Sequence, residues 1–271
     1  MWNDLIIEVN GEPLLLDAGG AAYSPRHRTL IFADLHFEKG SSYARSAQFL
    51  PPYDSRATLL RMARAIARYN PSRVVALGDS FHDRRAADRL GQDERAMLAA
   101  MTGAADFLWI AGNHDPSPPS WLGGKIGEVY GLGALVLRHE PQVLPGPGEV
   151  AGHLHPCANV AKWGRSVRRR CFISDGHRLV LPSFGAYTGG LDVGEAPIAA
   201  LFAGPFHAYM LGRERVYAIA QRVARFPASA FPRRVDEFFG MEGESADHTC
   251  GLNNSDDSQP ISSAMSTVAR P

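Results

Sequence analysis

Three short apolar runs each break off into a polar cluster, and that pattern leaves few architectures open. Phe107 to Ala111 reads as a buried strand and stops at Gly112-Asn113-His114-Asp115, residues that form strands poorly. Val74 to Leu77 stops at Gly78-Asp79-Ser80-Phe81-His82-Asp83, and Thr29 to Ala33 stops at Asp34-Leu35-His36. A helix is expected between Ala33 and Val74, at about 55–69, with Asp54 or Ser55 as its cap. Another is expected between Leu77 and Phe107, at about 92–102. Strand, helix, strand, helix, strand over 29–112 is an α/β signature, and such sheets bind ligands at the carboxyl ends of their strands.

The flanks are β-rich. Leu5–Val9 and Leu14–Leu16 around Asn10-Gly11 predict a hairpin. Val129 to Leu137 reads as one strand ending at Arg138-His139, and Glu149 to Ala151 as another ending at Gly152-His153-Leu154-His155. Val167–Ser174 and Arg178–Leu181 predict a second hairpin about Asp175-Gly176. Ile198–Phe202 and Val216–Ala220 read as further strands, and Phe37–Pro52 as a loop. Leu59, Leu60, Ala63, Ile66 and Ala67 give the first helix its apolar face, while Arg61, Arg64 and Arg68 form a stripe read as solvated. Residues 1–240 are expected to form one domain and 241–271 a disordered acidic tail, since few large apolar residues occur there.

Composition removes several function classes. Formal net charge is zero over 271 residues, so no global basic field draws in nucleic acid. The tail holds five acids against one base, which leaves 27 bases against 23 acids in the body. Three cysteines, 157, 171 and 250, lack CxxC spacing, which disfavours a disulfide scaffold or zinc ribbon and suits a reducing cytosol. The first residues carry acids and no basic stretch, unlike a signal peptide. No apolar run approaches the ~18 residues of a membrane span. A soluble cytoplasmic protein is expected, with no membrane partner.

Five predicted strand ends therefore carry candidate ligands: Asp34/His36, Asp79, Asn113/His114, His139 and His153/His155. Asp34 and His36, two residues apart, would face one ion from an extended chain. Alone, any of these clusters could be a polar turn. Together, carboxylate, amide and imidazole donors without thiolate suit two mid-series divalent ions such as Mn²⁺ and disfavour structural zinc.

These residues resemble the calcineurin-like metallophosphoesterase superfamily, whose pattern is D-x-H, G-D, G-N-H-D/E, a single His, then G-H-x-H. The resemblance implies a two-sheet β-sandwich flanked by helices around a dinuclear metal centre. Position by position, it implies that Asp34, His36 and His155 hold one ion, that Asp79 bridges, and that Asn113, His139 and His153 hold the other. His114 would be no ligand; it would stabilise charge and protonate the leaving oxygen, with Asp115 orienting its ring. Two ions about 3.5 Å apart lower the pKa of a bridging water and clamp the phosphoryl oxygens of an in-line displacement.

Further words narrow the resemblance: Asp34-Leu35-His36-Phe37-Glu38-Lys39-Gly40, Leu50-Pro51-Pro52-Tyr53-Asp54, Arg138-His139-Glu140-Pro141 and Leu181-Pro182-Ser183-Phe184-Gly185. Over residues 5–220 the chain resembles the ligase-associated DNA damage response endonucleases, encoded beside a helicase, a DNA ligase and an exonuclease. That implies manganese-dependent cleavage of single-stranded DNA, with those three enzymes as functional associates. His82, three residues after Asp79, matches a phosphate-contacting His of repair nucleases. Arg168 and Arg170 share one strand face and could meet a DNA backbone, or form a solvated edge. No aromatic stacking platform is visible. The competing readings are a phosphodiesterase or phosphatase of a small nucleotide, and a metal-binding scaffold without catalysis. His114, which no metal requires, argues against the scaffold.

Overall fold

The three apolar runs become three parallel strands at the centre of a sheet. The computed structural model describes residues 5–43, 53–143, 146–162 and 165–221. In chain order these form β1 Leu5–Val9, β2 Glu12–Leu16, β3 Ala22–Ser24, β4 Thr29–Phe32, α1 Lys39–Tyr43, α2 Asp54–Tyr69, β5 Arg73–Leu77, α3 Ala86–Arg89, α4 Gln92–Ala104 and β6 Asp106–Ile110. There follow β7 Lys125–Gly127, β8 Val129–Leu132, β9 Leu135–Arg138, β10 Gly148–Ala151, β11 Cys157–Lys162, β12 Arg165–Ser174, β13 Arg178–Val180, α5 Ala196–Ala199, β14 Phe206–Leu211 and β15 Val216–Gln221. One sheet runs β1-β2-β3-β4-β5-β6-β7. The other runs β15-β14-β12-β13-β10-β9-β8, with β11 paired to β12.

Alternation along each central strand feeds two cores. Leu30, Phe32, Val74, Ala76, Phe107 and Trp109 pack outward against Leu59 and Met62 of α2 and Leu98 and Met101 of α4. Ile31, Val75, Leu77 and Ile110 turn inward and meet Leu135, Leu137, Val150, Phe172 and Leu179 of the second sheet. A third cluster covers the far side of that sheet, where Ile173 and Val180 meet Ile198 and Phe202. The expected two-sheet sandwich flanked by helices is the observed fold.

Local chemistry explains where elements fall. Asn10 and Gly11 both have positive φ (48° and 79°), the turn that lets Val9 pair Glu12. Four expectations need correction. Val129–Leu137 is two antiparallel strands, because Gly133 takes φ +58° and reverses the chain between Leu132 and Leu135. Ile198–Phe202 is not a strand. Pro197 has no N–H for a ladder but fits the first turn of α5, and Ile198 and Phe202 are buried at helical spacing. The buried face of α2 runs through Thr58, Leu59, Met62 and Ala65, so Leu60 and Ala67 point outward. Asp54 and Ser55 do not cap α2. Their side chains accept the Gly40 and Glu38 amides at the start of α1, a short helix inside the expected loop. The Leu50-Pro51-Pro52 word and the 241–271 tail lie outside the described residues.

Candidate metal centre

Because β4, β5 and β6 are parallel, their carboxyl ends share one edge of the first sheet. β9 and β10 are parallel in the second sheet. All five ligand-bearing loops leave these ends and meet between the sheets. Main-chain bonds fasten them together: His36 N donates to Asp79 O (2.9 Å), Phe37 N to Ser80 O (2.8 Å), and Gly152 N to His139 O (2.9 Å).

The side chains form two clusters. In the first, Asp34 Oδ1 lies 3.4 Å from His155 Nε2, which lies 3.3 Å from His36 Nε2. In the second, Asp79 Oδ2 and His153 Nδ1 lie 3.4 and 3.1 Å from His139 Nε2, and Asn113 Oδ1 lies 2.8 Å from the same nitrogen. In each cluster of three, Asp34/His36/His155 and Asp79/His139/His153, the donor atoms lie within 4.8 Å of one another. All seven sequence-predicted ligands thus lie in these two clusters, with Asp79 beside His139 and His153 in the second.

The donor set fits cations. His139 Nδ1 donates to the Leu77 carbonyl (2.8 Å), so in the neutral ring it is Nε2 that turns a lone pair toward an amide oxygen, a carboxylate oxygen and another imidazole. Lone pairs converge in this way where a positive charge can sit among them. Asp34 Oδ1 is buried without a hydrogen-bond partner, which is costly unless a cation meets it. Burial works against charging His139, yet Asp79 and Asp34 outweigh it and push its pKa up to about 9; a bound ion would replace that proton.

The backbone reaches this arrangement differently from the expected extended D-x-H. Asp34, His36, Asp79, His153 and His155 all have positive φ, between 46° and 70°. The left-handed turn at each ligand aims both members of a pair inward while Leu35 and Leu154 bury between them. Such residues cost roughly 1–2 kcal/mol each, so the loops must be held by their surroundings. Asp34 is held most tightly. Its carbonyl accepts Ser183 Oγ (2.8 Å) and Gly185 N (3.0 Å), while its Oδ2 accepts His153 N (2.9 Å). That assigns a role to the Leu181–Gly185 stretch, which the sequence alone left without one. Gly78, at φ +73°, has His139 ring atoms 2.5 Å from where a Cβ would stand.

His114 and His82 stand beside the first cluster. Their rings stack at 5.6 Å and 18°, and each meets the His36 ring edge-on, at 5.4 and 5.6 Å. Neither belongs to a ligand cluster. Burial, with Lys39 adding, holds the His82 pKa down at about 4. Asp115 has other partners than expected. Its Oδ2 accepts the Ser80 and Phe81 amides (2.9 and 3.1 Å), so it props the loop that carries Asp79. The reason is direction: Asp115 is buried beneath the loop, whereas the His114 side chain is 40% exposed above it.

Residues 27–186 match the family model described as calcineurin-like phosphoesterase. Among solved structures, the nuclease MPE from Pseudomonas putida is 30% identical, with a TM-score of 0.62 over 80% of this chain and 100% of that one. The phosphoesterase Yfce from E. coli is 17% identical, with a TM-score of 0.39 over 71% of this chain and 98% of its own. No curated protein matches the chain at a significant level. The family match spans every loop of the centre, and the chain belongs to the calcineurin-like phosphoesterase family as a metal-dependent phosphoesterase.

Proposed function

We propose that this protein is a phosphodiesterase that cuts single-stranded DNA with two Mn²⁺ ions, in the service of DNA repair. The observation that carries the reading is the stacked His82–His114 pair beside two adjoining ligand clusters. Oxygen and imidazole donors without thiolate favour Mn²⁺ or Fe²⁺. The 30% identical neighbour described as a nuclease supports a nucleic-acid substrate. A ligase, a helicase and an exonuclease are the expected functional associates, from the sequence resemblance.

Asp34, His36 and His155 would hold one ion, and Asn113, His139 and His153 the other, with Asp79 between them. When bound, such ions supply Lewis acidity and activate water for in-line displacement. The chain's own groups do the rest. Asp34 and Asp79 fix the positions at which a phosphate is received. His82 grips a non-bridging oxygen. His114, partly exposed at the rim, gives its proton to the departing sugar oxygen, a contribution worth roughly 10²–10⁴-fold.

Covalently closed circular single-stranded DNA tests this reading, since it offers no end to an exonuclease. Linear products that need Mn²⁺ support the nuclease. Turnover of bis-p-nitrophenyl phosphate with the circle left intact would show a small-molecule esterase, and no turnover of either would show a scaffold.

A further inference from the structure

On the far side of the Ser183–Gly185 clamp lies a cavity of about 920 Å³ that the chemistry above does not use. Its walls carry six arginines: Arg61, Arg64 and Arg68 from α2, Arg169 and Arg170 from β12, and Arg213 from the turn after β14. Residues 61, 64 and 68 share one helix face and extend along about 10 Å of axis. Among the described residues Asp17 is the one acid in the lining, and its Oδ2 already accepts Arg68 (2.8 Å) and the Tyr69 hydroxyl (2.9 Å). Among the described residues no carboxylate pairs with the other five guanidiniums.

The two deepest are built in. Arg170 donates to the Ser183 and Ala186 carbonyls (2.9 and 3.0 Å), and Arg61 donates to the Phe184 carbonyl while lying over the Phe184 ring. Arg61 Nε is buried without a hydrogen-bond partner. Burial and the neighbouring Arg170 hold the Arg61 pKa down at about 10, as expected where two cations share a cavity without a counter-ion. Phe184, the one ring among the described lining residues, is buried, so the described lining offers guanidiniums and no exposed ring.

We propose that this arginine cavity is a second substrate site that binds the phosphate backbone of a single strand outside the metal centre. The inference rests on the phosphodiester reading of that centre and adds where the rest of the strand goes. Several guanidiniums set along a helix match a row of phosphates better than one anion, and guanidinium is the side chain suited to phosphate oxygens. Backbone contacts of this kind position a strand without reading its sequence. The same carbonyls that anchor Arg61 and Arg170 belong to the loop that clamps Asp34, so strand binding and the first ion cluster share one support.

The test replaces the three exposed arginines that pair with no carboxylate among the described residues, Arg64→Gln, Arg169→Gln and Arg213→Gln, and leaves Arg61, Arg68 and Arg170 intact. The probe is a labelled phosphorothioate-linked oligothymidylate, which keeps its charge and resists cleavage, bound to the Mn²⁺-loaded protein across a salt series. Affinity at low salt should fall on the order of tenfold, and the log–log salt slope should flatten by about 2, three contacts at roughly 0.7 each. Bis-p-nitrophenyl phosphate turnover should stay at the wild-type value. Unchanged affinity and slope would overturn the proposal, as would an equal loss for a labelled mononucleotide, which would make this a single-anion pocket. If wild-type protein leaves circular DNA uncut, the nuclease reading fails separately, because strand binding is measured without cleavage.

Discussion

Asp115 offers the sharpest separation between two ways in which this site could work. As the orienter of His114 it would act through that imidazole. The structure has it instead accepting two buried amides under the Asp79 loop. Asp115→Ala leaves both amides without an acceptor, at about 1–3 kcal/mol each, so roughly 2–6 kcal/mol of stability should be lost. For a domain of this size that is a fall in Tm of about 4–24 °C. Asp115→Asn keeps an acceptor oxygen and should lose far less. Burial, with Asp79 adding, raises the Asp115 pKa to about 7. An acid whose folded pKa is raised stabilises the fold most at low pH and loses that contribution as pH climbs to about 7. Asp115→Asn should therefore lose less stability than wild type between pH 5 and pH 8. The assay is a double-mutant cycle with His114→Ala, reading Tm, bound metal and turnover of bis-p-nitrophenyl phosphate. A loop prop predicts that Asp115→Ala does the same damage with or without His114. Damage that vanishes in the His114→Ala background, with Tm unmoved, would refute the loop assignment.

Other outcomes follow from the same contacts. Gly78→Ala combines a left-handed backbone with a methyl 2.5 Å from the His139 ring, so it should destabilise by about 2–4 kcal/mol and weaken metal binding, read by melting and by metal content. Ser183→Ala removes the hydroxyl that holds the Asp34 carbonyl and should lower metal affinity about 10–100-fold, the usual cost of losing a group that orients a ligand; wild-type affinity would show the clamp to be incidental. His114→Ala should retain both ions and lose more activity on DNA than on bis-p-nitrophenyl phosphate, because a nitrophenolate leaves without a proton. Equal losses on the two substrates would reduce His114 to a positioning group.

The ligands were legible in the sequence because each sits within a few residues of an apolar run that announces its strand. Asp34, Asp79, Asn113, His139 and His153 needed no knowledge of the other sheet to be picked out. What stayed hidden was set by contacts across long stretches of chain. Ser183 reaches Asp34 over 149 residues, and nothing near either marks the pair. Asp115 looked like a partner of His114 because it is adjacent, although adjacent residues at a turn point apart. The D-x-H spacing by itself predicts extended chain, whereas both members take left-handed conformations that only the packed loops enforce. Arg61, Arg64 and Arg68 read as a solvated stripe. Three of the cavity's six arginines, Arg169, Arg170 and Arg213, come from more than 100 positions further on.

The central claim is that Asp79 serves two ions held between the five strand ends. Counting metal in purified protein after Mn²⁺ loading and removal of excess tests it most directly. Wild type should carry two ions per chain. Asp79→Ala should lose both, because the carboxylate adjoins one cluster and belongs to the other. Two ions retained in Asp79→Ala, or a single ion in wild type, would contradict the account.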